Sequence, residues 1–190
     1  MKAPLTEEEF KIQVKVKKNL MWIGIISIVM LFGGLTSAYV VASGKSDFVP
    51  VDVPPLFWIS AVIIAISSIS MIYATYSAKK GKYSGVSAGL LITLVLGIGF
   101  SWSQFGGWGQ LVAQKIFFSG HSSGQYLYML SGLHLAHLAG GLLSLVVMWF
   151  RSMKKAYTPS NYLGLEVGAM YWHFLGILWI YLLIFLHLVR

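Results

Sequence analysis

Four side chains interrupt long apolar runs and could do chemistry there: His134, His137, Glu166 and His173. His134 and His137 are three apart, hence neighbours on one helix surface; Glu166 and His173 are seven apart, two turns along one face. Ionisable groups inside a bilayer are costly and mark a site or a partner. Three roles would need them. Haem ligation asks for two imidazoles from different helices on opposite sides of one iron, so His134 or His137 with His173 makes one pair. Beyond these the chain offers only His121, in a connection, and His187, near a helix end. A proton relay or catalytic metal would draw on Glu166, which has no second buried carboxylate with it; a glutamate beside a turn also suits the positive end of a helix. The third role is structural, a polar pocket in which these groups and Trp172 bond across helices or to a lipid head group. Cysteine is absent, which excludes disulfides, zinc–thiolate sites, iron–sulfur clusters and a cysteine nucleophile.

The elements that must carry these groups follow from composition. Of the residues 57% are hydrophobic and 11% charged, against about 25% charged in an ordinary soluble domain, which excludes a soluble fold. Apolar runs over residues 20–43, 56–78, 84–105, 125–150 and 165–189 each reach the roughly 20 residues that cross a bilayer core. The expected fold is all-α: a polytopic bundle of five transmembrane helices in a single membrane domain, residues 1–190, entered by a basic arm at 1–19. Pro54 and Pro55 open the second run, where a missing N–H costs nothing. Lys79, Lys80 and Lys82 close it, and a glycine-studded connection from Gly106 to Gly124 leads to the fourth. Glu7, Glu8 and Glu9, with no small-residue cleavage pattern, make the first run a retained anchor. Eleven Lys and Arg residues fall on the side of the arm, against Lys45, Lys115 and Arg190 on the other, placing the N-terminus in the cytoplasm and the C-terminus outside. The net charge of +8 is therefore orienting charge and needs no nucleic acid. Small residues four apart, Gly132, Ala136, Gly140 and Ser144 in the fourth run and Gly34, Ala38 and Ala42 in the first, predict seams where backbones approach closely. No internal repeat supports an inverted-repeat transporter.

The stretch GHSSGQYLYMLSGLHLAHLAGG, Gly120 to Gly141, and the stretch GLEVGAMYWHFLGILWIYLLIFLHL, Gly164 to Leu188, resemble the C-terminal part of cytochrome oxidase subunit III. The connection SQFGGWGQLVAQKIFFSG, Ser103 to Gly120, is similar to that family's, and LFGGLTSAYVV in the first run is more weakly so. The likeness covers Gly132, His134, His137 and Gly141 in one motif and Glu166, Tyr171, Trp172, His173, Phe174 and Trp179 in another. The chain departs from the family in two places. No acid lies between Leu31 and Val41, where a membrane-buried glutamate is common, and Gly176 stands where an aspartate is common. The resemblance implies the family's shorter five-helix form, in a bacterial cytoplasmic membrane. It implies an accessory subunit of a haem–copper terminal oxidase, which reduces dioxygen with electrons from cytochrome c or a quinol and translocates protons. Haem and copper would then lie in subunits I and II, with no cofactor, metal or catalytic site in this chain. Subunits I and II and phospholipid would be its partners, a larger respiratory supercomplex staying open, and its work would be to support proton uptake and turnover stability. The rival reading is a membrane anchor of a b-type cytochrome or quinone oxidoreductase that ligates haem through His134 or His137 and His173.

Overall fold

A computed structural model describes residues 7–46, 48–118, 122–159 and 161–189; Lys2, His121 and Arg190 lie outside the described residues. The elements are α1 (Glu7–Ser43), α2 (Pro55–Lys79), α3 (Tyr83–Ala113), α4 (Ser122–Met153) and α5 (Leu163–Leu188). All five are long and apolar enough to cross a membrane.

Two boundaries correct the sequence reading. The expected basic arm is no separate segment, because α1 already begins at Glu7. From Glu7 to Ile23 there is neither glycine nor proline. Once the apolar part of a helix is formed, extending it adds one hydrogen bond for each residue fixed, without a new nucleus. The connection expected after residue 105 is also helical, since α3 continues through Gly106, Gly107 and Gly109 to Ala113. Glycine inside a helix costs about 1 kcal/mol relative to alanine. Here its bare backbone receives a ring: a Cβ on Gly107 would stand 2.2 Å from Cε1 of Phe57. Tertiary packing overrides the local preference.

The tightest pair is α2 with α3. They are joined by a turn in which Gly81 takes a φ of +70°, the left-handed conformation that glycine adopts most cheaply. Across the pair, a Cβ on Gly89 would lie 2.8 Å from the Cβ of Ala74 and 3.0 Å from the Ser70 carbonyl, and one on Gly85 would lie 2.6 Å from Ser77 Oγ. Such contacts let backbones close and van der Waals attraction accumulate where the lipid supplies no hydrophobic drive. The ring of helices is completed by α4 on α3 and by α5 on both α2 and α4, whereas α1, among the described residues, packs against α4 and α5 and no other helix. Trp172 and Trp179 of α5, both buried, donate their indole N–H to Ser67 Oγ at 3.0 Å and Ser60 Oγ at 2.9 Å on α2. The rungs are seven residues apart on both helices, so one repeat satisfies both polar handles.

The seams expected on α1 and α4 lie elsewhere. Gly34 and Ala38 are exposed, and nothing stands within 4 Å of a Cβ built on Gly34. The buried face of α1 is instead Ile25, Phe32 and Tyr39, joined by Thr36 and Ala42. On α4, Ala136 and Gly140 are exposed, while His134, Leu138, Gly141 and Leu145 face inward. Gly141, unlike Gly140, admits close neighbours from α5, with Leu175 Cδ1 at 3.2 Å and the Trp172 ring at 3.4 Å from its would-be Cβ.

Candidate functional site

The bundle sends the four polar groups into four surroundings. His134 is fully buried, stacked on Trp179 of α5 with ring centroids 5.0 Å apart and edge-on to Phe100 of α3 at 5.8 Å. Among the described residues neither of its ring nitrogens has a hydrogen-bond partner, nor does Oε1 of the buried Gln104 on α3. His137 meets Phe32 of α1 edge-on at 5.8 Å, and its Nδ1 lies 2.8 Å from the Leu133 carbonyl. A carbonyl only accepts, so Nδ1 carries the proton. The Tyr171 hydroxyl donates to the His137 carbonyl at 3.0 Å, tying α5 to α4. His173 lines a groove between α2 and α5. Glu166 Oε1 pairs with Lys18 Nζ of α1 at 2.9 Å, with both side chains about a third exposed, at 39% and 34%.

The expected common polar pocket between α4 and α5 is therefore not formed. Three residues subtend 300° on a helix, leaving His134 and His137 about 60° apart. That angle is enough to turn one into the core and the other toward α1. Trp172, expected beside them, is bonded to Ser67 and seated against Gly97 and Gly141. The haem pair of the rival reading is not assembled either: His134 is closed between two rings, whereas His173 opens on a different groove. Among the described residues no three His, Asp or Glu side chains come together in a way that could hold a metal ion.

A different site does take shape, at the end of the bundle where α1 begins, α4 ends and α5 starts. A polar cavity of about 320 Å³ is lined by Gln13 and Lys17 of α1, Arg151 of α4, and Tyr157 and Asn161 of the α4–α5 connection. Two fixed positive charges, an amide from each side and a phenol face one space. Tyr157 is buried, and among the described residues its hydroxyl has no hydrogen-bond partner. Burial pushes its ionisation above the ordinary tyrosine range, only partly opposed by the Arg151 charge, so the group remains a neutral O–H donor. At Gly164, which lines both spaces, the cavity adjoins an open apolar groove of about 580 Å³. That groove runs along Leu143, Val147 and Met148 of α4 and Val167, Gly168 and Tyr171 of α5, with Met21 of α1 on its rim. Gly140 and Ser144, expected in a packing seam, line this groove instead. Sequence reasoning used Arg151 and Lys17 only as orienting charge. The available signal was a cation on each of two helix ends above exposed small residues, which becomes a site only when the two helices are known to be neighbours.

A basic end cavity continued by an apolar groove therefore lies on an all-α bundle of five helices, each long and apolar enough to cross a membrane, which makes this a polytopic membrane protein. The model of the family described as cytochrome c oxidase subunit III matches residues 35–189. The chain therefore belongs to the cytochrome c oxidase subunit III family. It is 28% identical over 178 residues to the probable cytochrome c oxidase subunit 3 of Nocardia farcinica, covering 90% of this chain and 86% of that one. It is also 28% identical over 159 residues to cytochrome c oxidase subunit 3 of Alkalihalophilus pseudofirmus, covering 83% and 76%. With the mouse protein of that name it shares 29% identity over 140 residues, 74% of this chain but only 51% of the mouse chain, so it spans about half of that relative's length.

Proposed function

We propose that this chain, as an oxidase subunit III, packs beside the catalytic subunit in a bacterial cytoplasmic membrane and holds an anionic phospholipid that stabilises the assembly during turnover. Haem and copper reside in subunits I and II. Electron transfer and oxygen chemistry take place there, while this subunit sustains proton uptake and endurance. The observation that carries the lipid assignment is the continuity of the Lys17–Arg151 cavity with the apolar groove. Arginine offers a phosphate diester a planar fork of donors, and lysine adds a point charge. Gln13, Asn161 and the neutral Tyr157 hydroxyl can bond the remaining head-group oxygens. The groove below takes an acyl chain along Leu143, Val147 and Met148, where lipid contact costs nothing, and Gly168 lets the Met148 side chain lie flat against α5. A head group at this end also agrees with the proposed orientation, in which the anionic cytoplasmic leaflet meets the basic side of the bundle.

The test is the lipid retained by oxidase purified in mild detergent, measured by mass spectrometry per haem. Replacing Arg151 and Lys17 together by glutamine is expected to lower retained anionic phospholipid about tenfold, the equivalent of roughly 1.4 kcal/mol. The same variant should lose activity faster during sustained turnover, with an unchanged initial rate. Full retention of anionic lipid would remove the assignment.

A further inference from the structure

The outward face of α5 lies between α1 and α2, two helices that make no contact with each other among the described residues. On this face a notch of about 330 Å³ is formed by Ile64 and Ser68 of α2 with His173, Gly176, Ile177 and Ile180 of α5. His173 lies about 15 Å along α5 from Leu163 at the helical rise of 1.5 Å per residue, which is mid-membrane depth. It is half-buried, and none of the described residues gives its ring a hydrogen bond. A neutral imidazole always has one donor and one acceptor to satisfy. Acyl chains have neither, head groups are too distant for a side chain this short, and water is excluded from the hydrocarbon.

We infer that this notch, with His173 at its floor, is the docking surface for a transmembrane helix of the oxidase's catalytic subunit, one that brings a polar side chain or an exposed carbonyl to the imidazole. Gly176 sets the depth of the notch by letting α2 and α5 close on each other. Its absent Cβ would stand 3.4 Å from Ser68 Oγ and 3.5 Å from Ile64 Cγ1, so at this buried glycine α5 lies close against α2 and the two helices form the back wall of the notch. Ile177, 68% exposed, and Ile180, 38% exposed, supply the apolar flanks. The outer face of α3 offers the contrast. Val95 and Ile98 are 59% and 55% exposed there, aliphatic side chains at membrane depth that lipid satisfies fully. A polar ring that needs a bond distinguishes the first face from the second. The identity of the partner rests on the subunit III reading; the location of the surface rests on His173 and the notch.

The experiment places a photo-activated crosslinking amino acid at Ile177 or, separately, at Ile98, in the full chain expressed with its oxidase. Crosslinking of the Ile177 probe to the catalytic subunit, with the Ile98 probe yielding lipid adducts only, is expected. If the chain copurifies with oxidase haem but the Ile177 probe captures only lipid, or a second copy of this chain, the docking surface is overturned and the subunit III reading stands. Failure of the chain to copurify with any oxidase haem overturns both. As an independent readout, His173→Leu is expected to lower retention of this subunit in mild detergent about tenfold, and His173→Asn, which keeps a donor and an acceptor, to restore most of it. Equal retention of His173→Leu and the parent chain would also overturn the proposal.

Discussion

An imidazole stacked on Trp179 with neither nitrogen bonded costs the bundle more than an apolar side chain of similar size would, since each unsatisfied buried polar group costs about 1–3 kcal/mol. His134→Leu should therefore leave the thermal midpoint of the purified subunit unchanged or raise it, while His134→Ala should cost about 2–5 kcal/mol through the cavity between Phe100 and Trp179. In fully assembled, haem-replete oxidase both variants are expected to keep the initial rate of oxygen reduction. A fall in midpoint for leucine as large as for alanine would show that the ring has bonding partners after all. At this scale the sequence revealed which residues are unusual but not where they point. The spacing of His134 and His137 made them neighbours, yet the 60° between them sends one to α3 and α5 and the other to Phe32. Glu166 was readable as a charge near a helix start, but its partner, Lys18, is 148 positions away and came into view only with the packing of α1 on α5.

Among the elements, the α2–α3 hairpin rests on glycines that are contact surfaces. Gly107→Ala puts a methyl group into the ring of Phe57 and should destabilise the bundle by about 1–3 kcal/mol, the usual cost of overpacking. Combining it with Phe57→Leu should recover part of that loss, measured as non-additivity in a double-mutant thermal cycle; strict additivity would show that the two sites do not touch. Five spans and their order could be read from hydropathy and lysine stops. The seam was harder to find. Gly85, Gly89 and Thr93 repeat every four residues on α3, as regularly as Gly132, Ala136, Gly140 and Ser144 do on α4. What separates the two is the facing surface: Ser70, Ala74 and Ser77 of α2 are small as well, and the short turn at Gly81 holds them opposite. A stripe of small residues becomes a seam only when its neighbour is matched to it, and one helix's sequence does not contain its neighbour.

For the molecule as a whole, the asymmetry of eleven Lys and Arg residues against three gives a topology that can be tested directly. A cysteine replacing Lys80 should resist an impermeant thiol reagent in intact cells and react once the membrane is opened; ready labelling in intact cells would reverse the proposed orientation. The end of the bundle where α1 begins is also where Lys79 lies 5.9 Å from the Tyr162 ring, so the α2–α3 turn and the α4–α5 connection meet there. The peripheral place of α1, in contact among the described residues only with α4 and α5, has a consequence for how the protein comes into being. Of the five helices α1 leaves the ribosome first, yet the surfaces it packs against are made last. It must wait in the bilayer as a lone span while the hairpin of α2 and α3 closes and α4 and α5 arrive. Its capture can begin when α4 arrives and is complete only with α5, so a product arrested before α5 would leave that helix without half of its resting place.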